Sequence, residues 1–438
     1  MGRRPKTHTL GAWMNGDYVG RWTVNSRGEH EFEYAPDWVA SEYGRPISLS
    51  IPLSKAGSRI KGEVVRNYFD NLLPDNDRIR ARIQQRFSTS SQSAFDLLSE
   101  IGRDCIGALQ LLPDGLEPGN IKRIEAEAAG EEEIERILSN TPVVGQHQDD
   151  DDFRISIAGA QEKTALLLHH GKWMRPRGAT PTTHILKLPI GRHGDQGIDL
   201  TTSVENEWLC ARILEAYGIR VARCWPAAFG RHMVLVVERF DRRQSPDGTW
   251  LMRLPQEDMC QAMGLSAEQK YERSGGPGIK SIMDLLLGSA VAEADRTDFF
   301  RTQVVFWLLC AIDGHAKNFS IFLEPRGNFR LTPRYDVLSA YPVIGNAPGL
   351  QQENKVKMSM ALTGKNRHYM WAELQRRHFE TTARACGMEA TGRMIVEEVV
   401  GKTPAVIAKV AAELPEGFPL QVADSILTGL DRAAKRVS

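Results

Sequence analysis

The chain has 438 residues, of which 42% are hydrophobic and 25% charged, and its 55 basic and 55 acidic side chains leave no formal net charge. This balance is typical of a folded globular protein, and it excludes a global electrostatic attraction to nucleic acid or acidic membranes. The 6 cysteines form no CxxC pair or Cys/His cluster, and the longest apolar run, residues 304–312, is too short to span a membrane. We therefore expect a cytoplasmic protein of two or three structural units, without a zinc site, a disulfide framework or a membrane partner.

Residues 1–115 are predicted to form a small α+β domain. Asn15-Gly16 separates two apolar segments, 11–14 and 18–22, and this dipeptide is the strongest short-range signal for a β-hairpin. The segments 64–73 and 94–101 have the apolar spacing of helices. Both lead toward an apolar run that ends at residue 112.

Residues 116–152 differ in composition from the segments on either side. They contain Glu131, Glu132 and Glu133 in succession and end in four consecutive aspartates, 149–152. Consecutive carboxylates repel one another and point in different directions, whereas a metal site needs them to converge. We interpret this segment as a solvated helix and linker that marks a domain boundary.

Residues 153–255 are predicted to be rich in strands, with one helix. The segments 164–168 and 184–188 have strand character, with Gly171 marking a turn between them. A helix is expected at 203–216 and a further strand at 233–240. From residue 256 to 438 we predict a helical lobe, interrupted by one hairpin. The fold class is therefore predicted to be α+β, a two-lobed protein-kinase-like fold with an N-terminal α+β domain and an all-helical C-terminal lobe, although this order alone does not fix function.

The segment 313–320 has the spacing of a kinase catalytic loop. Asp313 and Asn318 are five residues apart, as are the base aspartate and the metal-binding asparagine of kinases. Phosphoryl transfer needs a carboxylate to orient the attacking hydroxyl and accept its proton. It also needs an amide oxygen that helps to hold Mg²⁺, and a short rigid loop can place both groups around one γ-phosphate.

The surroundings of this loop strengthen the interpretation, because the Asp-x4-Asn pattern alone most often marks a capped loop. An apolar segment at 299–312 predicts a buried helix before the loop. The segments 319–323 and 329–332 flank Arg326-Gly327-Asn328 and predict a hairpin after it. Asp336 then stands where kinases have their second magnesium ligand, although the phenylalanine and glycine that usually follow it are replaced by valine and leucine.

The nucleotide-binding parts are expected upstream of the loop. Lys187 lies in a predicted strand, and Glu207 and Glu205 follow in the predicted helix, the separation expected of a phosphate-pairing lysine and its glutamate partner. We favour Glu207 as that partner. The end of the strand at 233–240 fits a hinge whose backbone bonds adenine. No GxGxxG loop precedes Lys187; the segment 156–163 is rich in small residues, but read alone it is a simple turn.

Several motifs together resemble the HipA family of toxin kinases, in family order from about residue 10 to residue 380. They are YFDNLLPD at 68–75, FDLLSEIGRD at 95–104, FRISIAGAQEKTA at 153–165, TTHILKLP at 182–189, VERFDRR at 237–243, LPQEDMCQ at 254–261, DGHAKNFS at 313–320 and LTPRYD at 331–336. This resemblance is far more specific than any single motif.

The resemblance implies an ATP- and Mg²⁺-dependent kinase that modifies serine in a translation component, glutamyl-tRNA synthetase being the family's known target, and so causes growth arrest and persistence. It implies that the nucleotide phosphates are contacted by Ala158, Gly159, Ala160, Gln161, Glu162, Lys163 and Lys187. Adenine would be met by Glu238, Arg239 and Phe240. The nucleotide and magnesium site would be completed by His315, Ala316, Lys317, Asn318, Tyr335 and Asp336. Ser156 matches the family's autophosphorylated serine, whose modification displaces the neighbouring phosphate loop.

The resemblance also implies a DNA-binding antitoxin partner, HipB, through which the complex binds operator DNA and represses its own operon. Direct DNA contacts by this chain would come from a modest basic cluster that contains Arg376, Arg377 and Arg384. A solvated helix face explains these arginines equally well, because Glu373 and Glu380 dilute their charge.

Two other readings remain open at this point. A small-molecule phosphotransferase shares the Asp-x4-Asn loop, although the stretch around Ser156 and the N-terminal domain favour the HipA reading. A catalytically silent scaffold that binds antitoxin and DNA could tolerate loss of Asp313, Asn318, Asp336 or Lys187, and all four are present.

Overall fold

The computed structural model describes residues 8–53, 55–141, 156–158, 161–193 and 197–437. Its strands are β1 His8–Met14, β2 Asp17–Val24, β3 His30–Tyr34, β4 Arg59–Lys61, β5 Leu109–Pro113, β6 Ala126–Ala128, β7 Lys163–His169, β8 Lys172–Pro176, β9 His184–Lys187, β10 Gly191–His193, β11 Ile198–Leu200, β12 Cys224–Phe229, β13 His232–Glu238, β14 Arg242–Gln244, β15 Leu251–Arg253, β16 Gln256–Asp258, β17 Ser320–Leu323, β18 Phe329–Leu331, β19 Lys357–Thr363 and β20 Arg367–Met370. Its α-helices are α1 Pro36–Ala40, α2 Glu63–Asp70, α3 Asp77–Phe87, α4 Ala94–Ile101, α5 Glu131–Asn140, α6 Ser203–Ala216, α7 Met259–Ala262, α8 Ile279–Leu285, α9 Ala292–Leu308, α10 Arg376–Ala385, α11 Glu389–Ala412 and α12 Leu420–Val437.

The N-terminal part is an antiparallel sheet of order β4-β3-β2-β1-β5 with helices packed on one face. The predicted hairpin at Asn15-Gly16 is confirmed: both residues have positive φ, 49° and 89°, as a tight turn between twisted strands requires. The predicted helices α2 and α4 are also present. They cover the sheet with an aromatic core in which the Trp22 and Phe69 rings stack with centroids 3.9 Å apart.

A second antiparallel sheet has the order β12-β13-β9-β7-β8-β6 and contains the predicted strands. We expected the segment 116–152 to be a solvated helix and linker, but two of its elements, β6 and α5, pack on this sheet. β6 pairs with β8 at the sheet edge, and α5 buries Ile134 and Leu138 against Leu166 and Val234 of the sheet. The acidic residues dominate the composition, but two apolar side chains four residues apart give α5 a face that needs cover.

The predicted helix before the loop is α9, which ends at Leu308 rather than at residue 312. The chain leaves the helix because Cys310 adopts a left-handed φ of 49°, and this turn directs it into the 313–318 loop. Helix α6 has the predicted bounds, Ser203–Ala216, and contacts β12 and β13 of the second sheet on one side and α11 and α12 of the helical lobe on the other.

The C-terminal lobe is helical from α10 to α12, as predicted, but it contains two hairpins where the sequence analysis expected one. β17 and β18 form the predicted hairpin after the loop. β19 and β20 form the second, which was missed because residues 358–362 are buried on successive positions, and such a run has no strand-like alternation. Among the described residues, no helix combines the length and apolarity that a bilayer crossing requires.

The N-terminal part is joined to the rest of the chain by a buried ionic network. The Asp104 carboxylate accepts hydrogen bonds from Arg242 at 2.8 Å, from Arg239 at 3.3 Å and from Arg253 at 3.3 Å. Although burial acts to raise it, these guanidinium groups hold the pKa of Asp104 below its ordinary range. The network therefore fixes one docking geometry between the two sheets.

Candidate active site

The 313–318 loop lies between α9 and β17, where it is open to solvent on one side. Asp313 is exposed, while Asn318 is buried and donates both amide hydrogens, to the carbonyl of Asp313 at 3.1 Å and to that of Asp336 at 3.2 Å. Because the amide nitrogen is used in this way, the Asn318 Oδ1 oxygen is held in one orientation and is left for a ligand. The loop and the Tyr335-Asp336 segment thus meet at Asn318.

Lys187 joins the second sheet, helix α6 and Asp336. Its Nζ lies 2.7 Å from Glu207 Oε1 and 2.8 Å from Asp336 Oδ1, so the predicted Lys187–Glu207 pair is confirmed. Burial acts to lower the pKa of Lys187, but Asp336 and Glu207 together hold it above its ordinary value. Burial likewise acts to raise the pKa of Asp336, and Lys187 with Lys163 nevertheless keeps it below the usual range. Asp336 is therefore ionised.

Lys163 brings a second ammonium group into the same region. It is the cross-strand neighbour of Lys187 in the β7–β9 pair. Burial, followed by the nearby charge of Lys187, lowers the pKa of Lys163 from 10.5 to about 8. Two lysines on adjacent strands place two positive charges side by side, which makes a site suited to a polyanion.

Tyr271 is a site residue that the sequence analysis missed. Its hydroxyl donates to Asp313 Oδ1 at 2.7 Å, and its ring meets the His315 ring edge-on with centroids 5.1 Å apart. Tyr271 stands 42 positions before Asp313, in a loop without a recognisable pattern. No local signal in the sequence could have identified it.

His315 and Tyr335 are both placed at the loop. His315 is buried, and burial holds the pKa of its ring below the ordinary value, so the ring is neutral at pH 7. Its Nδ1 is buried without a hydrogen-bond partner among the described residues, which leaves one polar atom for a ligand. Tyr335 donates to the Lys317 carbonyl at 2.8 Å. Ala316, which lies between His315 and Lys317 in the chain, is buried.

The side chain of Lys317 is placed differently from the prediction that it helps to complete the nucleotide site. Its Nζ donates to Asn71 Oδ1 of the N-terminal part at 2.7 Å and to Asp258 Oδ2, at the end of β16, at 2.9 Å. A buried ammonium group needs several acceptors, and these are found there. Lys317 therefore supports the loop from behind, which corrects the prediction for its side chain.

The segment predicted to contact phosphates is only partly described. Gly159 and Ala160 lie outside the described residues, and Ala158 is half-buried at the edge of the gap. Gln161 donates to the Leu188 carbonyl, and Glu162 pairs with Arg82 of α3. Ser156 is fully buried, donates through Oγ to the Leu72 carbonyl at 2.7 Å and through its N–H to the Asp104 carbonyl at 3.2 Å.

Of the three residues predicted to meet adenine, Arg239 is turned away. Its side chain belongs to the Asp104 network, its N–H donates to the Thr183 carbonyl, and its carbonyl accepts from the Arg242 N–H. Glu238, the last residue of β13, is exposed, whereas Arg239, which follows the strand, is buried. Phe240, next in the chain, lies beside Tyr335 with ring centroids 5.7 Å apart. Only Glu238 and Phe240 keep groups that could face a base.

Two of the three arginines in the predicted DNA-binding cluster, Arg376 and Arg384, carry acidic partners. Arg384 bonds Glu389 at 2.7 Å, and Arg376 bonds both Glu380 and Glu397. Pairing of this kind reduces the field that the α10 face offers to a phosphate backbone.

The donor set around Asp336 suits a hard cation that also binds phosphate. Among the described residues, no group of three or more His, Cys, Asp or Glu side chains could hold a metal ion by itself. Asn318 Oδ1 and the Asp336 carboxylate offer two oxygens, and Asp336 is 36% exposed, so the oxygen not bonded to Lys187 is accessible. Mg²⁺ is usually bound by one or two protein oxygens together with substrate phosphates, and this site fits that pattern.

Two family models match this chain: one described as the HipA-like C-terminal domain, over residues 155–407, and one described as the HipA N-terminal domain, over residues 10–112. A protein of Sinorhizobium fredii named "Putative kinase Y4mE" is 36% identical over 341 residues, which cover 76% of this chain and 78% of that protein. The serine/threonine-protein kinase toxin HipA of Shewanella oneidensis is 30% identical over 349 residues, covering 76% of each.

The fold has a close counterpart among solved structures. The chain superposes on a chain of the Shewanella oneidensis toxin–antitoxin complex of HipA, HipB and operator DNA with a TM-score of 0.79, at 23% identity, over 98% of this chain and 97% of that one. At this identity the likeness concerns the fold, which is therefore the predicted α+β, kinase-like architecture.

Proposed function

Because the chain belongs to the HipA family of serine/threonine protein kinase toxins, we propose that it transfers the γ-phosphate of ATP to a protein of the translation machinery, with Asp313 as the base. The observation that carries this proposal is the meeting of Lys187, Glu207 and Asp336 at one point, with Asn318 linking Asp336 to Asp313. These groups come from a strand, a helix and two loops, which is the arrangement that phosphoryl transfer needs.

Asp313 acts on the acceptor hydroxyl. Its carboxylate is exposed, so a serine of another protein can reach it, and Tyr271 holds one of its oxygens. The other oxygen orients the attacking hydroxyl and accepts its proton as the bond to phosphorus forms. This positioning, rather than covalent chemistry, is the main contribution of the protein.

The residues that would hold Mg²⁺ are Asn318, through Oδ1, and Asp336. When bound, the ion offsets negative charge on the phosphate oxygens during transfer. Asp336 adopts φ of 61°, an uncommon backbone conformation for an aspartate, and it turns the carboxylate toward Lys187. Lys187 itself pairs with the nucleotide phosphates, and Glu207 holds that lysine in place.

The remaining nucleotide contacts are proposed from the same family resemblance. Residues 158–163 would contact phosphates, with Lys163 supplying charge, and the backbone of Glu238 and Phe240 would meet adenine. His315, Ala316 and Tyr335 complete the floor of the site. We also propose unit boundaries near residues 115, 152 and 255, with 126–140 attached to the nucleotide-binding sheet.

We infer that the acceptor is glutamyl-tRNA synthetase, the known target of the family, and that its phosphorylation in the cytoplasm arrests growth and favours persistence. The partner is an antitoxin of the HipB type, and this chain joins it on operator DNA to repress the operon. The structural counterpart with HipB and operator DNA supports this assignment. We assign direct DNA contact mainly to the antitoxin, because Arg384 and Arg376 are paired with glutamates.

Ser156 is proposed as the autophosphorylation site. Its hydroxyl is fully buried against the Leu72 carbonyl, and a phosphate dianion has no counter-charge at that carbonyl. Phosphorylation of Ser156 therefore displaces the segment around it from its buried position. Because residues 158–163 follow immediately, the phosphate-contacting groups leave with it, and the kinase switches itself off.

Incubation with Mg²⁺-ATP and glutamyl-tRNA synthetase, followed by intact mass and peptide mapping, tests this proposal. We expect one phosphate on the synthetase and one at Ser156. The Ser156→Ala variant should phosphorylate the synthetase for longer, because it cannot inactivate itself. Ser139→Ala, on α5, is the matched control and should behave as the wild type. Phosphate on neither protein, with a small hydroxyl compound modified instead, would favour a small-molecule transferase.

A further inference from the structure

The catalytic loop is braced by the N-terminal part of the chain. Residues 71–75, which connect α2 to α3, lie behind the loop rather than in the cleft. Asn71 accepts from Lys317 Nζ through both its side-chain oxygen, at 2.7 Å, and its carbonyl, at 3.2 Å. Asn71 is itself fixed, since its amide donates to the carbonyls of Asn67 and Leu265.

A second contact runs from the same segment to the base. Asp75 Oδ2 lies 3.0 Å from Lys270 Nζ. The carbonyl of Lys270 accepts from the Ala316 N–H at 3.0 Å, in the middle of the catalytic loop. The next residue, Tyr271, donates to Asp313 Oδ1 at 2.7 Å. Asp75 thus pairs with Lys270, and the two-residue segment Lys270-Tyr271 is hydrogen-bonded to the catalytic loop at Ala316 and at Asp313.

Asp75 is ionised although its side chain is largely buried, where an isolated charge is energetically unfavourable. Its side chain is 11% exposed, and its Oδ1 is buried without a hydrogen-bond partner among the described residues, 3.8 Å from Lys317 Nζ. Burial acts to raise the pKa of Asp75, but Lys317 and Lys270 hold it below the ordinary value. The ionised carboxylate is the ion-pair partner of Lys270, and its removal leaves that lysine short of a counter-charge, whereas Lys317 keeps Asp258.

We propose that Asp75, acting through Lys270 and Tyr271, is a positioning residue for the base Asp313, so that the N-terminal domain forms part of the kinase machinery. The inference rests on the proposed role of Asp313. It predicts a defect mainly in the chemical step, because Lys187 and Glu207 do not contact this chain of residues, whose contacts with the nucleotide site are at Ala316 and His315.

The test compares Asp75→Asn and Tyr271→Phe with the wild type, measuring kcat for phosphate transfer and the Kd of a fluorescent ATP analogue. We expect kcat to fall about 10- to 100-fold in each variant, since small misplacements of a reacting group have effects of that size, while Kd changes less than about twofold. In the double variant the fold-decrease in kcat should be smaller than the product of the two single fold-decreases, because both substitutions act on the same series of contacts.

Asp37→Asn is the matched control. Asp37 is an exposed carboxylate on α1 of the same N-terminal part, so its loss should leave kcat unchanged. If Asp75→Asn fails to fold, Tyr271→Phe decides. Wild-type or higher kcat in Tyr271→Phe, or an equal loss of kcat and nucleotide affinity in the folded variants, would overturn the inference. A wild type that transfers no phosphate would instead count against the proposed function.

Discussion

Single residues explain how the site stays charged without a ligand. Lys187 is shared between Glu207 and Asp336, and burial alone would favour the neutral forms of all three groups. Their mutual attraction keeps Lys187 and Asp336 ionised. A nucleotide that arrives with its cation can therefore replace these contacts one for one, without a proton transfer at either group.

Lys163 gives the site a pH dependence. Its pKa is near 8, so the ammonium form predominates below pH 8 and is lost as the pH rises above it. A polyphosphate binds the charged form better, and we expect the Kd for ATP to rise severalfold between about pH 7 and pH 9. Lys163→Met should bind more weakly at pH 7 and show a smaller rise, as measured by equilibrium binding.

The control for this titration is Lys172→Met, an exposed residue of the same β7–β8 hairpin. It should reproduce the wild-type curve. If the wild type and Lys163→Met lost affinity in parallel across this range, the pH dependence would come from another group, and Lys163 would have no part in binding.

The residues of the site divide into those with a local signal in the sequence and those without one. Asp313, Asn318 and Asp336 lie within one short stretch of chain, so their spacing predicts that they meet, and their geometry agrees. Lys187 and Glu207 follow from the strand-to-helix separation. Asp75 and Tyr271 come to the loop from distant parts of the chain, and nothing in their immediate neighbourhood distinguishes them.

At the level of whole elements, the predictions of helices and strands from the sequence are most accurate where the pattern of residues is clear. Helix α6 has the expected bounds and the Asn15-Gly16 turn lies where it was expected, because a helical pattern and a turn dipeptide specify them locally. The strands β1 and β2 are longer than the segments 11–14 and 18–22 that predicted them. Strand β6 and the β19–β20 hairpin were missed. β6 is three residues long, and its pairing with β8 depends on a tertiary contact that no local pattern encodes.

Strand β16 contains a carboxyl group whose titration should be measurable. Glu257 is fully buried and accepts from the Leu49 N–H at 2.8 Å, while its other oxygen has no hydrogen-bond partner among the described residues. Burial raises the pKa of Glu257 from 4.5 to about 8, only partly opposed by the Leu49 N–H. At neutral pH, the folded protein therefore retains a proton that the unfolded chain has lost.

This difference in the protonation of Glu257 between the folded and unfolded states determines how stability changes with pH. Stability from Glu257 is fully present below pH 4.5 and is lost progressively as the pH rises toward 8. Glu257→Gln should therefore gain in free energy of unfolding relative to the wild type as the pH increases, reaching about 2–4 kcal/mol near pH 8. Denaturant unfolding at several pH values measures the difference, and a difference that stays constant from pH 5 to pH 8 would contradict it.

For the whole molecule, the N-terminal domain contacts the rest of the chain at several points around the site. Asp104 binds Arg239, which follows β13, Arg82 pairs with Glu162, and the Leu72 carbonyl accepts a hydrogen bond from Ser156. Buried ion pairs contribute little net stability, but they specify one geometry because any misaligned docking leaves charges unpaired. The domain is thus placed to sense the state of the Ser156 segment and of the catalytic loop together.

The central claim is that Asp313 is the base of a protein kinase, and the initial rate of γ-phosphate transfer from radiolabelled Mg²⁺-ATP into protein tests it most directly. Asp313→Gln replaces the carboxylate base by a neutral amide one methylene longer, at an exposed position, so we expect the rate to fall by about 10²- to 10⁴-fold with the Tm unchanged. Asp424→Asn, an exposed change on α12, should transfer phosphate as the wild type does. A folded Asp313→Gln protein that transfers phosphate at the wild-type rate would contradict the account.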